Sequence, residues 1–355
     1  MRKLASIRTI ESLSPIEGAD KIELAHTGGW QCVVGKDQFK PGEAAVFFEI
    51  DSALAPNDER YAFLKPTCLK EWRNKDGQLV DSCIRIRTMR FRGQISQGLF
   101  MPIHDFPEIV DRTEGIDLTE VLHVRHFDLI KEQADTILGK VKLAGDIYGS
   151  FPSALVPKTD EERLQNLMDY FETRKDVAFE CTEKFDGCSV TFGYSTTLED
   201  PFFVCGRNNR LKDTGENLYW RMARKYDLQH LLEQCSKMGT DLAIQAEIVG
   251  PGVNGNRDQY TEHEIRVFRI YDMQKQQWLT PEARHAFCER HKLPHVKIVR
   301  DNWEVFKEFT SLDDFLRFVE GKTDRGHERE GMVWKSLNGR TSFKVINNNY
   351  LLKEK

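Results

Sequence analysis

Glu183-Lys184-Phe185-Asp186-Gly187 sets an amine, a carboxylate and a flexible backbone position within five residues. Val177-Ala178-Phe179 leads in and Val190-Thr191-Phe192 leads out, β-branched and aromatic on both sides. The pattern predicts a strand, a tight turn carrying the lysine, and a second strand. A charged turn with a solvated lysine would look the same in isolation. What lies downstream decides between the two.

Val204-Cys205-Gly206-Arg207-Asn208-Asn209 reads as a strand end delivering an arginine. Asp241 to Gly250 is a buried-type strand with Glu247 in its interior, a carboxylate that needs a cation or donor because burying it alone costs several kcal/mol. Arg266 to Met273 alternates as a strand, and Pro281–His291 and Leu312–Glu320 read as helices. Glu330-Gly331-Met332-Val333-Trp334-Lys335 and Thr341-Ser342-Phe343-Lys344-Val345-Ile346 are two further strands with charges at defined positions. Upstream, Thr159-x-x-Glu162 matches a capping box, and Leu164, Leu167, Met168 and Phe171 follow at helical spacing. A helix over about 160–172 is expected there. Arg163 lies off that apolar stripe, where it can reach an anion or make a surface salt bridge.

Residues 1–104 differ in texture, with short β-forming runs such as Ala44–Ile50 broken by Gly, Pro and Asp. They predict a small barrel. Gly18-Ala19-Asp20-Lys21-Ile22-Glu23-Leu24 resembles the first hairpin of tRNA-binding oligonucleotide/oligosaccharide-binding (OB) domains. Between Cys83 and Gly93, the arginines Arg85, Arg87, Arg90 and Arg92 are interleaved with Phe91, which suits phosphate contact with base stacking. A bulge near 88 would bring all four together; otherwise they form a solvated strand face. Residues 105–145 turn polar and acidic and read as a connector.

The 355-residue length fits two domains, and no apolar run approaches a membrane span. The eight cysteines are scattered without metal-ligand spacing, as in an intracellular, cytoplasmic protein with reduced thiols. A net charge of −5 excludes a wholly basic coat, so a nucleic-acid surface must be a local patch.

The order Lys-x-Asp-Gly, Gly-Arg-Asn, mid-strand Glu, aromatic strand, Glu-Gly-x-Val-x-Lys and terminal Lys resembles the covalent nucleotidyltransferase superfamily over roughly residues 146–350. That superfamily comprises ATP-dependent polynucleotide ligases and mRNA capping enzymes. Gln245 to Gly252 and Lys158 to Asn166 resemble segments of nick-sealing and RNA-editing RNA ligases. DNA ligases and capping enzymes usually carry an OB domain after the last lysine motif, whereas only eleven residues follow Lys344 here. The resemblance therefore implies an ATP-dependent RNA ligase with an N-terminal OB domain: an all-β OB barrel over 1–104, a connector over 105–145, and an α+β adenylyltransferase with ligase-type antiparallel sheets over 146–355. The closing motif departs from the family, because Ser342 and Ile346 flank Lys344 where a second lysine is usual.

What the resemblance implies for the residues is specific. Lys184 is the nucleophile toward ATP, forming lysyl-AMP, and Asp186, Glu247 and Glu330 hold Mg²⁺ or Mn²⁺, through water. Lys335 and Lys344 contact phosphates. Glu183, Gly187, Arg207 and Phe268 bind the nucleotide, with Phe268 stacking on adenine or simply packing in the core, and Arg163 grips the outer phosphates. An unperturbed lysine is neutral about once in a thousand at pH 7.4, an expense of roughly 4 kcal/mol, so the site should lower its pKa through the metal and the other lysines. The partner is RNA, as a nicked duplex or as ends, and a monomer is expected. The alternatives are a DNA ligase, a GTP-dependent capping-type nucleotidyltransferase, and a non-catalytic RNA-binding protein that kept the fold.

Overall fold

Strand formers separated by turn residues dominate both halves of the chain, and in the computed structural model nearly all of them pair antiparallel. Residues 2–137, 147–215 and 217–353 are described. They divide into two units: the first takes residues up to 137 with 165–168 and 351–353, the second 147–164 and 169–350.

The first unit is built from short sheets. Ala44–Phe48 pairs with Ala5–Thr9 on one side and Leu99–Pro102 on the other, and Ser12–Pro15, Ile22–Thr27 and Trp30–Gly35 form a meander. Gly28, at φ 52°, makes the two-residue turn between Thr27 and Trp30. Ile7, Val46, Phe48, Tyr61 and Ile84 form a core that Phe106, Ile109, Leu118 and Val124 complete. The polar stretch after 104 thus carries part of this core, and Phe127–Ile137 is a helix; residues 138–145 of the expected connector lie outside the described residues.

The second unit holds two antiparallel sheets. One contains the strands β1 (Phe179–Lys184), β5 (Gly331–Ser336) and β6 (Ser342–Ile346), in the order β1-β5-β6. The other contains β2 (Cys188–Tyr194), β3 (Leu242–Val249) and β4 (Glu264–Asp272), again as neighbours in that order. Helix α1 (Pro281–Arg290) starts at the cap of Thr280, whose Oγ1 accepts from the Ala283 amide at 3.2 Å, and a further helix spans Leu312–Val319.

The expected helix over 160–172 does not form. The chain there runs extended: Arg163 bridges to Lys344 in parallel, and the Lys344 amide donates to the Glu162 carbonyl at 2.8 Å. Only a 3₁₀ turn at Leu164–Asn166 and a short helix at Tyr170–Thr173 remain. Glu162 spends its carboxylate on the Arg163 amide, so the capping box has no helix to close, and pairing with β6 outcompetes local propensity.

Candidate active site

Register decides which charges meet. Lys184 pairs with Gly331, Thr182 with Val333 and Glu180 with Lys335, while Val333 also pairs with Lys344. Residues directly opposite share a face, so Lys184, Lys344 and Lys335 project from the same side of one sheet. They advance along it at two-residue intervals, about 7 Å per step.

Lys184 is the last residue of β1, with 29% of its side chain exposed, and its Nζ donates to Glu330 Oε1 at 2.6 Å. Burial alone would push this ammonium down, but Glu330, Glu247 and Asp186 outweigh it and hold the pKa above the ordinary lysine value. Lys335 and Lys344 do not depress it here, because the surrounding acids dominate; of the two expected causes of a lowered pKa, that leaves the divalent cation. Burial lifts Glu247 up to about 8, against the pull of Lys184 and helped by Glu330 and Asp186. Glu330 Oε2 is buried and has no hydrogen-bond partner among the described residues. Asp186 Oδ1 accepts from Asn254 Nδ2 at 3.2 Å, and the same amide donates to the Gly187 carbonyl at 2.6 Å. Gly187 is needed for space: a Cβ there would sit 2.3 Å from the Ile248 carbonyl oxygen and 2.7 Å from Glu247 Cγ. The turn can therefore lie directly on the strand bearing Glu247.

On the second sheet, Glu247 faces Ser189 and Arg266. Between Gln245–Arg269 and Ala246–Val267 the register slips, and the extra residue is Phe268. Such a bulge re-aims a side chain. Phe268 is half-buried beside Arg269, Trp278, Arg284 and Lys335 in one cleft, while Val267 and Ile270 fill the core, so it is not a core aromatic. Lys335 Nζ stands 5.7 Å from its ring centroid. Burial pulls Lys335 down to about 7, with Glu161 opposing and Arg269 and Arg284 adding to the depression.

Several residues of this neighbourhood carry no obvious sequence signal. Asp160 accepts from Lys344 Nζ at 2.8 Å and from Arg207 Nη2 at 3.3 Å, joining two candidate phosphate contacts through one carboxylate. Glu161 approaches Arg269 at 3.7 Å. Glu180 and Arg284 form a bidentate, fully buried pair at 2.8 and 3.0 Å, and Arg284 also donates to the Phe268 carbonyl at 3.3 Å. Alternation along β1 could have flagged Glu180, two steps before Lys184 on the same face; its partner on a helix a hundred residues later could not be found that way. Glu183 points to the opposite face, buried, and burial raises its pKa. Arg163 is buried beside the backbone of Lys344.

The arginine run of the first unit divides. Arg85 turns inward at 5% exposure, 3.0 Å from Asp51 and with its guanidinium 4.1 Å from the Phe127 ring centroid. It is a core ion pair and not part of an open face, which corrects its expected role, because the Asp51 carboxylate and the Phe127 ring together compensate its burial. Arg87 is half-buried. No bulge unites the four; instead Met89–Phe91 and Gln94–Ser96 form a hairpin whose two-residue turn is Arg92 and Gly93, at φ 45° and 83°. Arg90, Phe91 and Arg92 stand exposed on it.

Comparison with known proteins bears on both units. Residues 4–103 match the model of an OB-fold domain, and residues 177–346 match that of RNA ligase. The structure of Naegleria gruberi RNA ligase with PPi superposes at a TM-score of 0.84 with 36% identity, covering 100% of this chain and 99% of that one. Mutants of that ligase solved with AMP and Mn, and with ATP and Mn, give the same score and identity over 99% of each chain. No curated protein sequence matches. Among the described residues no helix is long and apolar enough to cross a membrane. With 36% identity over the whole length, an OB-fold domain first and the motif series from Lys184 to Lys344 in order, the chain belongs to the ATP-dependent RNA ligases that carry an N-terminal OB-fold domain.

Proposed function

We propose that this RNA ligase seals nicked or broken RNA in three transfers, with Lys184 as the nucleophile. Lys184 Nζ attacks the α-phosphorus of ATP, forming the N–P bond as pyrophosphate leaves. The RNA 5′-phosphate then takes AMP from the lysine, and the RNA 3′-hydroxyl attacks that activated phosphate to form the phosphodiester and release AMP. The observation that supports this most is the convergence on one spot of Lys184, Glu330, Glu247 and Asp186, with Lys344 and Lys335 on the same sheet face.

Attack needs a neutral amine, and Lys184 among its acids is held protonated. Asp186, Glu247 and Glu330 offer the carboxylate oxygens that hard divalent cations prefer, and the unpartnered Oε2 of Glu330 fits that use. When bound there, Mg²⁺ or Mn²⁺ supplies a positive neighbour that lowers the lysine pKa and offsets charge on the α-phosphate. The proton that Glu247 retains below about pH 8 must leave for it to serve. Lys344 and Lys335, stepping away from Lys184, suit successive phosphates, and Lys335 stands in for the second lysine missing after Lys344. Phe268 stacks on adenine, while Gly187 and Arg207 shape the nucleotide pocket and Arg163 supports the outer phosphates; Glu183, whose side chain turns to the other sheet face, serves the pocket only through its backbone. Arg90 and Arg92, on their exposed hairpin, contact RNA. One chain supplies every one of these groups, consistent with a monomer, and seven buried thiols suit an intracellular setting.

The test is incubation with α-labelled ATP and Mg²⁺ or Mn²⁺, followed by intact-mass measurement. A single AMP on Lys184, absent from Lys184→Ala, is expected. An adduct that persists in Lys184→Ala would sink the assignment, and equal labelling from GTP would move the chain toward capping chemistry. Nicked duplexes differing only in RNA or DNA at the 3′-end then define the sealed strand.

A further inference from the structure

Away from the ligase site, α1 and the loop after it bring two imidazoles and a carboxylate together. His285 and Glu289 lie one turn apart on α1, so their side chains stack on one face. His295 comes from a segment stitched to β4: the Val267 amide donates to the Pro294 carbonyl at 2.9 Å, and the Val296 amide to the Val267 carbonyl at 3.0 Å. Both rings direct Nε2 at the same oxygen, Glu289 Oε1, from 3.7 Å for His285 and 3.3 Å for His295. The three ligand atoms lie within 4.8 Å of one another, and the rings meet nearly at right angles.

The tautomer of His295 makes this cluster more than a surface ion pair. Its Nδ1 lies 2.9 Å from the Val296 carbonyl oxygen, which can only accept, so Nδ1 carries the hydrogen. A neutral ring then turns the lone pair of Nε2 toward a carboxylate oxygen 3.3 Å away, two acceptors face to face. A proton on either group or a cation between them relieves that. An Nδ1–H bound to a backbone carbonyl with Nε2 presented outward is how metal-ligating histidines are oriented. Ligands at about 2.0–2.2 Å on a tetrahedral ion are separated by roughly 3.3–3.6 Å, close to both spacings to Glu289.

We propose that His285, Glu289 and His295 form a binding site for a borderline-soft divalent ion of the zinc class, with water as the fourth ligand. Two nitrogens among three donors disfavour magnesium, which separates this site from the all-carboxylate cluster around Lys184. The ion clips α1 to the segment paired with β4. Because Arg284 of the same helix holds Glu180 and the Phe268 carbonyl, the clip braces the back of the cleft lined by Phe268.

Metal-stripped full-length protein is titrated with Co²⁺, followed by Zn²⁺. The expected signal is the intense visible absorption of four-coordinate cobalt, which oxygen-liganded six-coordinate cobalt at the carboxylate cluster lacks, displaced by one equivalent of Zn²⁺. His285→Gln, Glu289→Gln and His295→Gln should each abolish that absorption and weaken Zn²⁺ binding by about 100-fold or more, while His291→Gln retains both. Zn²⁺ should raise the melting temperature of the wild type and not of the three variants. Lysyl-AMP formation in the variants verifies that they are folded. Absence of the intense absorption in the wild type, or its survival in the His285→Gln/His295→Gln double variant, overturns the site and leaves an imidazolium–carboxylate pair.

Discussion

Both units carry cationic residues on adjacent short strands, yet they use them in opposite ways. In the first unit the run from Arg85 to Arg92 is dispersed: Arg85 goes into the core against Asp51 and Phe127, and Arg90 and Arg92 go to solvent on a hairpin. In the second, Lys184, Lys335 and Lys344 are separated by 160 residues of sequence but gathered on one sheet face around acids. Closeness in sequence does not make a charged site. Strand register does, because it sets which alternate positions share a face and which carboxylates stand ready to offset their desolvation.

The sharpest way to break the second arrangement is to remove its acids. Glu247→Gln and Glu330→Gln should each slow lysyl-AMP formation by about 100-fold or more, with the fold intact by circular dichroism. Near-normal rates would return both residues to structural ion pairs with Lys184. The first arrangement is tested by separating its arginines. Arg85→Met should cost about 1–3 kcal/mol in urea unfolding, since it removes the 3.0 Å charge-assisted bond to Asp51 and the packing on Phe127 while Arg2 still faces Asp51 at 3.7 Å. Arg90→Ala with Arg92→Ala should leave stability unchanged, weaken RNA binding and lower the slope of log K against log salt by about one per lost contact. If instead Arg85→Met weakens RNA binding without unfolding, the division between core and surface arginines is wrong. Substitution is the cleaner route, because deleting residues 1–104 would expose the core residues Phe106, Ile109, Leu118 and Val124.

A further effect, read through pH, concerns Lys335, whose folded pKa burial pulls down to about 7 against an ordinary 10.5. Below pH 7 both folded and unfolded states hold the proton and the cost of burying the charge is fully present. Between about 7 and 10.5 only the unfolded state holds it, so stability rises with pH over that window and levels above it. Metal-free urea unfolding from pH 7 to 10 should show this rise in the wild type and a flatter profile in Lys335→Met. Identical profiles would mean that Lys335 is not buried as a cation.

Much of this protein was decided locally. Alternation and turn residues specify the strands around Lys184, Glu247, Lys335 and Lys344, and the apolar spacing of Leu312–Val319 specifies a helix, because side-chain periodicity is a property of neighbouring residues; Pro281–Arg290 lacks that spacing and is marked instead by Pro281 at its first position. Gly187 follows from the same stretch, although the reason for it, the 2.3 Å approach of the Ile248 carbonyl to a Cβ placed there, belongs to the fold. The tertiary structure alone decided that residues 160–163 lie extended beside β6, that Phe268 occupies a bulge, that Asp160 joins Lys344 to Arg207, that Arg284 neutralises Glu180, and that Arg85 points inward. Each of these depends on a partner distant in sequence. Which partner a buried charge finds is fixed by sheet register and helix docking, which bring together segments far apart in sequence.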